Sequence, residues 1–373
     1  MEVVEMNRDF WRDQRVLITG HTGFKGAWLS FWLQHLGARV TAYALEGSSS
    51  PNLSGLLRLR TRIHSVEGDV RDFHHLKSVM EQTRPQIVFH LAAQSLVRAS
   101  YRDPLYTYST NVMGTVNLLE AVRQVGDVKV VVNITSDKCY QNQEQLAGYR
   151  EGDPLGGRDP YSSSKGCAEL ITAAYRDSFF SGGRKGGPIV AVATARAGNV
   201  LGGGDWAEDR LIPDSIRALS RKMPIPIRNL NAIRPWQHVL EPLHGYLALA
   251  EKLWSHGAEF AGGWNFGPGD ANAKSVRWVV ERLVKLWGAE ASWIPDWGEH
   301  PHEATYLQLD SSKAKARLGW ACRLDIDQTL EWAVNWYRSF HAGADPIELT
   351  LSQISRYSAI GQKANDRSTV STV

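Results

Sequence analysis

Residues 15–26, RVLITGHTGFKG, limit the possible folds more than any other stretch of the chain. A short apolar run ends at Gly20, and glycines recur at positions 23 and 26 before an apolar segment begins at Trp28. This order predicts a strand, a tight turn and a helix. Such a turn lets its backbone approach a pyrophosphate at the positive end of the helix dipole. The stretch therefore favours a dinucleotide site, although three glycines alone are a weak signal.

Strand and helix patterns alternate from this turn to residue 196. Apolar and β-branched runs predict six strands, at 15–19, 39–45, 64–69, 86–93, 128–135 and 189–196. Helical spacing predicts helices at 28–36, 73–80, 161–180, and from 105 or 111 to 125. This alternation is typical of an α/β fold with a doubly wound parallel sheet, and we expect a Rossmann domain over residues 10–200.

The pattern changes after Gly198, where glycines and prolines divide the chain into short pieces. We expect a smaller, mixed C-terminal domain at 201–345 that does not extend the regular sheet, although some of its strands and helices should return to the first domain. Helices are predicted at 211–220, 240–254, 274–287 and 328–340. The tryptophans at 206, 236, 264, 278, 287, 293 and 297 favour core and lid packing over a binding box. A C-terminal extension covers 346–373, and its polar end, 359–373, is predicted to be disordered.

Composition excludes several classes of protein. The net charge of +3 is small, and Lys and Arg are scattered, so we expect no nucleic-acid partner. Cys139, Cys167 and Cys322 lack metal-ligand spacing, and their odd number favours a reducing compartment; no metal site is predicted. The N-terminus lacks the pattern of a signal peptide, and no apolar run approaches the ~20 residues of a membrane helix. We therefore expect a cytoplasmic protein without a membrane partner.

The second and third strands bear on the choice of dinucleotide. Glu46 is the nearest carboxylate after the second strand, and no arginine between positions 44 and 50 is available for a 2′-phosphate. NAD is therefore favoured over NADP. Asp69 ends the third strand and either contacts the adenine or simply forms a turn, and the two interpretations are about equally supported.

The sharpest chemical pattern is Tyr161-Ser-Ser-Ser-Lys165 on a predicted helix, with Ser136 just after the fifth strand. Tyrosine and lysine four residues apart share a helix face, so the ammonium group can lower the pKa of the phenol. A phenolate can remove an alcohol proton during hydride transfer. The pattern gains weight because it follows a glycine-rich turn and a serine at the end of a strand.

With these motifs the chain resembles the extended short-chain dehydrogenase/reductase family from residue 14 to 340. The matching stretches are GHTGFKG, HLAAQ at 90–94, STNVMGT at 109–115, and YSSSK. The resemblance implies that Ser136, Tyr161 and Lys165 are catalytic. It implies NAD contacts by Gly20, Thr22, Gly23, Phe24, Lys25, Gly26, Asp69, Val70, Leu91, Ala92, Ala93, Tyr161 and Lys165, with Asn111 as a helper. His21 and Lys25 depart from the family's glycine motif, and Lys25 either meets a phosphate or is solvated.

The residues beside the serine separate the branches of this family. The stretch TSDKCY at 135–140 resembles nucleotide-sugar 4,6-dehydratases, in which an acid and a base follow the serine, whereas epimerases have small or apolar residues there. Lys138 in place of the usual glutamate, together with RPWQH at 234–238, resembles the branch that acts on CDP-glucose, with another nucleotide sugar as the alternative. The substrate residues implied are Gln94, Asn199, Arg210, Arg234, His302 and Tyr306.

The resemblance implies a reaction in three stages. Tyr161 takes the proton of the sugar 4-hydroxyl during oxidation, Asp137 protonates the departing 6-hydroxyl, and reduction at C6 completes a 4-keto-6-deoxy sugar. Lys138 is the candidate base at C5, a role that requires burial of its side chain. Two rival interpretations are a surface ion pair for Asp137 and Lys138 and, for the whole chain, a dinucleotide-sensing binder without turnover. A homodimer is expected through helices 105–125 and 161–180.

Overall fold

This computed structural model describes residues 7–47, 49–145, 147–181, 189–288, 290–298 and 306–370. The first half of the chain alternates strands and helices. Its elements are α1 (Arg8–Trp11), β1 (Arg15–Thr19), α2 (Phe24–His35), β2 (Arg39–Ala44), α3 (Leu53–Leu56), β3 (His64–Glu67), α4 (Phe73–Thr83), β4 (Ile87–His90), α5 (Val97–Arg102), α6 (Pro104–Tyr108), α7 (Gly114–Val125), β5 (Val130–Ile134), α8 (Pro160–Tyr175) and β6 (Ala191–Arg196).

The second half contributes shorter strands and further helices. They are β7 (Val200–Leu201), α9 (Leu211–Ser220), β8 (Ile225–Ile227), β9 (Ile233–Pro235), β10 (Gln237–His238), α10 (Leu240–His256), β11 (Gly262–Asn265), β12 (Ala273–Ser275), α11 (Val276–Trp287), β13 (Trp293–Pro295), α12 (Ser312–Leu318), α13 (Ile326–His341) and α14 (Pro346–Val370). Three two-stranded sheets form here: β10 with β7, β12 with β9, and β13 with β8.

A seven-stranded parallel sheet organises the molecule, in the order β11-β6-β5-β4-β1-β2-β3. The chain order reverses between β1 and β4, where ligands of open α/β sheets bind. The central strands β4 and β5 are buried along their whole length, as expected of strands that are covered on both faces. The predicted doubly wound parallel fold is therefore confirmed.

Most of the predicted elements are present with shifted ends. Helix α2 begins at Phe24, four residues before the apolar segment, because Gly23 is extended and the glycine turn leads straight into the helix. The helix predicted from 105 or 111 is instead three pieces, since a π-helical turn, Ser109–Met113, separates α6 from α7. Helix α8 likewise ends in a π-helical turn, Arg176–Phe180.

The expectation that residues beyond Gly198 do not extend the sheet is wrong for β11. This strand pairs in parallel with β6 and becomes the edge of the main sheet. Its sequence, Gly-Gly-Trp-Asn, has no aliphatic run, so its strand conformation depends on pairing with β6 and on the buried Trp264. The expectation that some elements return to the first domain applies to this strand.

The tryptophans of the second half mostly pack into the interior. Trp236 and Trp264 are buried, while Trp206, Trp278, Trp287 and Trp293 pack partly buried against the main core. Trp297 is the exception, with 86% of its surface exposed.

The C-terminal extension is a helix where the sequence predicted a disordered end. Helix α14 begins beside Asp345, whose side chain accepts a hydrogen bond from the Ile347 amide at 2.9 Å. Ile354 and Tyr357 are buried, and the Tyr357 ring meets the edge of Trp32 on α2 at 6.0 Å. This packing supports the helix as far as Tyr357. The helix itself continues to Val370, through most of the stretch predicted to be disordered, and residues 371–373 lie outside the described residues.

Helices long and apolar enough to cross a membrane do not occur among the described residues. The same residues contain no cluster of His, Cys, Asp or Glu that could hold a metal ion. The three cysteines are unpaired. The predicted absence of a signal peptide falls partly on residues 1–6, which lie outside the described residues.

Candidate active site

A cleft of about 1670 Å³ runs along the carboxyl ends of β1, β4 and β5, against residues of the second half of the chain. It brings together residues that the sequence analysis had placed in three separate motifs. The predicted residues that line it are Gly20, Thr22, Gly23, Phe24, Lys25, Gly26, Asp69, Val70, Leu91, Ala92, Ala93, Ser136, Asp137, Lys138, Tyr161, Lys165, Asn199, Arg210 and Arg234.

The glycine turn leaves room for a ligand at the start of α2. A Cβ atom at Gly26 would overlap the carbonyl group of Gly20, so only glycine permits this tight approach of turn and helix. Gly23 supplies no side-chain cap, and the first amides of α2 therefore remain available to an anionic ligand. This geometry fits the pyrophosphate of a dinucleotide.

The end of β2 and the end of β3 form one wall of the cleft. The Thr22 hydroxyl donates a hydrogen bond to the Leu45 carbonyl at 2.9 Å, which ties the glycine turn to β2, and Glu46 lines the cleft beside it. Asp69 also lines the cleft, but its carboxylate accepts hydrogen bonds from the Arg71 amide and from its guanidinium, at 2.9 Å each. The turn interpretation of Asp69 is thus realised, and the adenine contact stays a prediction.

Lys25 is inside the cleft and is not a solvated surface residue. Its ammonium group reaches the hydroxyl of Tyr246 on α10 at 3.5 Å. The pKa of Lys25 is lowered to about 7, mainly by burial and also by the charges of Lys165 and Arg210, while the charge of Asp137 opposes the shift. Lys25 therefore faces the same space as the proposed catalytic groups.

A single 3₁₀ turn, Asp137–Cys139, carries the acid and base candidates. The Ser136 hydroxyl donates to Asp137 Oδ1 at 3.0 Å and accepts from the Lys138 amide at 3.2 Å. Asp137 is only 2% exposed, and its Oδ2 has no hydrogen-bond partner among the described residues. Lys138 lines the cleft and is half-buried. A buried acid held by the serine does not fit the surface-pair interpretation of Asp137 and Lys138.

Tyr161 enters the cleft from the first turn of α8, which Asp159 caps through the Ser162 amide at 2.9 Å. The expected lowering of the phenol pKa is not what the structure gives. The pKa of Tyr161 is raised to about 12, mainly by burial and also by the charge of Asp137, while a hydrogen bond with Ser136 and the charge of Arg210 oppose the rise. In this environment desolvation of the phenolate outweighs the nearby positive charge.

Lys165 lies one turn further along α8 and is buried. Its ammonium group donates to the Ile134 carbonyl at 3.3 Å, at the end of β5. Burial lowers the pKa of Lys165 to about 8, and the carboxylate of Glu169 opposes this shift. Lys165 thus links the tyrosine helix to the strand that leads into Ser136.

Asn199, Arg210 and Arg234 line the other side of the cleft. Asn199 has a left-handed backbone, with φ of 48°, and its buried Nδ2 finds no partner within the described ranges. Arg210 donates to Asp205 at 2.9 Å and to the Ser95 hydroxyl at 3.0 Å. An amide donor and two guanidinium groups in one wall suit a diphosphate.

Three of the predicted residues that the structure describes are not in the cleft wall. Gln94 and Asn111 bond to each other, since Asn111 accepts from the Gln94 amide at 2.8 Å and donates to its carbonyl at 2.9 Å. Asn111 therefore supports the end of β4 from the π-helical turn rather than facing the cleft. Tyr306 bonds to Gln308 instead. His302 lies outside the described residues.

Sequence reasoning missed an ion cluster across the cleft. Asp209 pairs with Arg98 at 2.9 Å and with Arg228 at 3.2 Å, and all three line the cleft. Arg98 and Asp209 are 111 residues apart, so no local pattern could have indicated the pair. The positive φ of Asp209, 60°, likewise has no signal in the sequence.

Comparisons with known proteins agree with this geometry. The family model described as GDP-mannose 4,6 dehydratase matches residues 17–332. A CDP-glucose 4,6-dehydratase of Salmonella typhimurium is 53% identical over 352 residues, which are 94% of this chain and 98% of the relative. A dTDP-glucose 4,6-dehydratase of Streptomyces griseus is 28% identical, over 89% of this chain and 96% of its own.

Solved structures share the fold. A dTDP-glucose 4,6-dehydratase from Bacillus anthracis, solved in complex with NAD, superposes with a TM-score of 0.72 at 22% identity, over 90% of this chain and 99% of that chain. The family model matches most of the sequence, and the Salmonella enzyme is 53% identical; together these two findings identify the family. The chain belongs to the GDP-mannose 4,6-dehydratase family, within the extended short-chain dehydrogenases/reductases.

Proposed function

We propose that this protein is a hydro-lyase that converts CDP-D-glucose into CDP-4-keto-6-deoxy-D-glucose with a retained NAD. The position of Asp137 carries the proposal, because a buried acid beside Ser136 suits the loss of water, whereas the resemblance gives epimerases a small or apolar residue there. The 53% identity with a CDP-glucose 4,6-dehydratase supports the choice of nucleotide sugar. Another nucleotide sugar is the alternative.

The glycine turn and the ends of β3 and β4 would hold NAD. Gly20, Gly23 and Gly26 offer backbone to the pyrophosphate, while Val70 and residues 91–93 line the cleft beyond them. Glu46 at the cleft wall favours NAD over its 2′-phosphorylated form. NAD, when bound, accepts a hydride from the sugar and returns it later in the reaction.

Oxidation at C4 requires removal of the 4-hydroxyl proton, and Tyr161 is the base. The charge of Arg210 stabilises the phenolate against the cost of burial, and so does a hydrogen bond from Ser136 when its one hydroxyl proton turns from Asp137 to the phenolate. Lys165 adds a buried positive charge in the same space, and its bond to the Ile134 carbonyl orients it toward the cleft. Ser136 also holds the substrate hydroxyl.

Elimination requires an acid at O6 and a base at C5. Asp137 delivers its proton to the departing hydroxyl, and Lys138 from the same turn removes the C5 proton. A Lys138→Met variant should slow the entry of solvent deuterium at C5. Entry at the wild-type rate would remove lysine from this role.

We assign the substrate diphosphate to Asn199, Arg210 and Arg234. The buried amide of Asn199 supports this role, since a diphosphate oxygen would accept its hydrogen bond. In this proposal residues 10–200 bind NAD, 201–345 mainly bind the sugar nucleotide, and 346–373 form an extension. The unpaired cysteines suit a reducing compartment, and we place the protein in the cytoplasm.

The proposed homodimer uses an exposed apolar face on α6, α7, α8 and their π-helical turns. Leu105 is 83% exposed, and Tyr108, Met113, Leu170 and Phe179 are also exposed along these helices and turns. Burying such side chains between two copies is favourable at about 25 cal/mol per Å². Leu105→Glu should shift the protein toward monomer in sedimentation, whereas the control Trp297→Glu, at another exposed apolar residue, should not.

A substrate panel tests the proposed activity. The protein with NAD is incubated with CDP-glucose, dTDP-glucose, UDP-glucose and GDP-mannose, and the keto sugar is detected by its absorbance in alkali. We expect the highest kcat/KM with CDP-glucose. A higher value with another sugar nucleotide would move the assignment to that substrate, and binding without turnover would favour the dinucleotide-sensing protein.

A further inference from the structure

A buried carboxylate lies one helical turn beyond Lys165 and has no part in the reaction proposed above. Glu169 of α8 is 4% exposed. Its Oε1 accepts from the Thr135 hydroxyl at 2.5 Å and from Arg196 Nε at 2.9 Å. Its Oε2 accepts from the Thr194 hydroxyl and from Arg196 Nη2, each at 2.7 Å. Every acceptor position of the carboxylate is therefore occupied, and the pairing with Arg196 is bidentate.

The Nη1 group of Arg196 extends this network to Tyr140. Arg196 Nη1 donates to the Tyr140 hydroxyl at 2.6 Å and to the Glu151 carbonyl at 3.1 Å. The guanidinium group also lies 4.9 Å from the centre of the Tyr140 ring. Tyr140 in turn donates to Asn265 on β11 at 2.8 Å. Tyr140 is thus held by its ring and by its hydroxyl.

Thr135 and Tyr140 flank the turn that carries the acid and base candidates. Thr135 directly precedes Ser136, and Tyr140 directly follows the 3₁₀ turn Asp137–Cys139. The Glu169–Arg196 pair therefore contacts the residues at both ends of this turn: Glu169 bonds to Thr135, and Arg196 bonds to Tyr140. Because Glu169 belongs to α8, the same pair connects the turn to the helix that bears Tyr161 and Lys165.

We propose that Glu169 is a positioning residue: through Thr135, and through Arg196 and Tyr140, its carboxylate holds the turn with Ser136, Asp137 and Lys138 in register with the Tyr161 helix. The proposal rests on the proposed dehydratase function for the importance of that register. Breaking a buried ion pair is costly, since it leaves an unpaired charge in the interior. A misplacement of about 1 Å in such a site can cost about 10²-fold in rate.

The charge of Glu169 also bears on Lys165. Burial lowers the pKa of Lys165, and Glu169 is the main group that opposes it, with a smaller contribution from Cys139. Lys25 and His90 also face Lys165 in this space. Neutralising Glu169 therefore lowers the pKa of Lys165 below about 8. If activity needs the ammonium form of Lys165, the alkaline limb of the pH–activity profile then moves to lower pH.

The test compares Glu169→Gln, which keeps the size and removes the charge, with Thr194→Val, which removes one hydrogen bond to the same carboxylate from β6. Hydrogen exchange of a peptide covering 136–140 and turnover of CDP-glucose are measured in the full-length protein with NAD. In Glu169→Gln we expect faster exchange in the turn, kcat lower by about 10²-fold and KM within about threefold of wild type. The alkaline limb should move to lower pH. Thr194→Val should keep the wild-type exchange, kcat and pH profile, and Glu169→Asp should recover part of kcat.

Thr135→Val provides a second route, because it leaves the ion pair intact and releases only the leading end of the turn. It should raise exchange in 136–140 and lower kcat by about tenfold. If Glu169→Gln does not fold, this variant decides the matter. Wild-type exchange or wild-type kcat in Glu169→Gln would overturn the proposal. An equal fall in kcat in Thr194→Val and in Glu169→Gln would overturn it as well. A wild-type protein that turns over no nucleotide sugar refutes the dehydratase function instead, while the exchange measurements still test the grip of Glu169 on the turn.

Discussion

The carboxylate of Asp137 occupies the space where a Cβ atom at position 198 would lie. A Cβ built on Gly198 overlaps the carboxyl group of Asp137, so the glycine after β6 is what allows this acid to lie against the backbone. Ser136 holds the other carboxylate oxygen at 3.0 Å. The position of the Asp137 carboxyl group therefore depends on the hydrogen bond from Ser136 and on the absence of a side chain at Gly198.

Gly198→Ala should displace the Asp137 carboxylate. We expect slower loss of water, by about 10²-fold, because a general acid contributes about 10²–10⁴-fold and here it is moved rather than removed. Single-turnover kinetics with CDP-glucose measure the step. Gly152→Ala is the control, since a Cβ there meets nothing within 4 Å. Equal rates in the two variants would contradict the proposed contact.

Asp137→Asn should separate oxidation from elimination. Tyr161 still removes the 4-hydroxyl proton, but no acid assists departure of the 6-hydroxyl, so reduced cofactor forms and persists. Rapid mixing with CDP-glucose and absorbance of NADH follow this. If no NADH forms, the acid acts in the first half of the reaction and the assigned division of labour is wrong.

Tyr161→Phe should abolish oxidation at C4 and leave NAD binding nearly unchanged. In the proposed reaction the phenol removes the proton of the substrate hydroxyl, while the proposed cofactor contacts lie mainly in the glycine turn, which lines the cleft. Turnover and NAD affinity by calorimetry measure the two effects. Retention of more than about a tenth of the turnover is too much for a variant that lacks the base.

Glu241→Gln should flatten the pH dependence of stability. Burial raises the pKa of Glu241 from 4.5 to about 7, although hydrogen bonds from Tyr357 and from the amides of Leu324 and Arg323 oppose this. The folded protein then binds more protons than the unfolded chain between pH 4.5 and about 7, so the free energy of unfolding falls as pH rises through that window. The fall due to this group is on the order of 3 kcal/mol.

Urea unfolding at a series of pH values measures this dependence. Glu348→Gln is the control on α14, since its side chain is exposed and its change should leave the wild-type slope. A Glu241→Gln protein with the wild-type slope would show that the buried carboxyl group is not its source.

Local patterns predicted the elements of the sheet well, with one exception. Aliphatic runs identified β4 and β5, because strands buried on both faces must be apolar throughout. Strand β11 was not predicted, since its glycines carry no such pattern and its place in the sheet depends on parallel pairing with β6. Helix α14 was also not predicted, because its sequence is of mixed polarity and the packing of Tyr357 on Trp32 is a tertiary contact that no local pattern indicates.

Some parts of the candidate site could likewise be predicted from local patterns, and others could not. Ser136 and Asp137 are neighbours in the chain, and Tyr161 and Lys165 share a helix face, so their arrangement could be predicted from spacing. Lys25 and Tyr246 are 221 residues apart, and only the tertiary fold brings them together. The pKa of Tyr161 was misjudged for a related reason. The desolvation of the Tyr161 phenol depends on all the residues that enclose the cleft. The charged residues can be read from the sequence, but this burial cannot.

In the proposed reaction, the hydride removed from C4 is delivered to C6 of the same sugar. CDP-glucose labelled with deuterium at C4 is converted by the wild-type protein with unlabelled NAD, and the product is examined by NMR and mass spectrometry. We predict that the deuterium is retained in the methyl group at C6 of the 4-keto-6-deoxy product. Deuterium found at C4 of an inverted sugar, or lost to solvent, would contradict the claim.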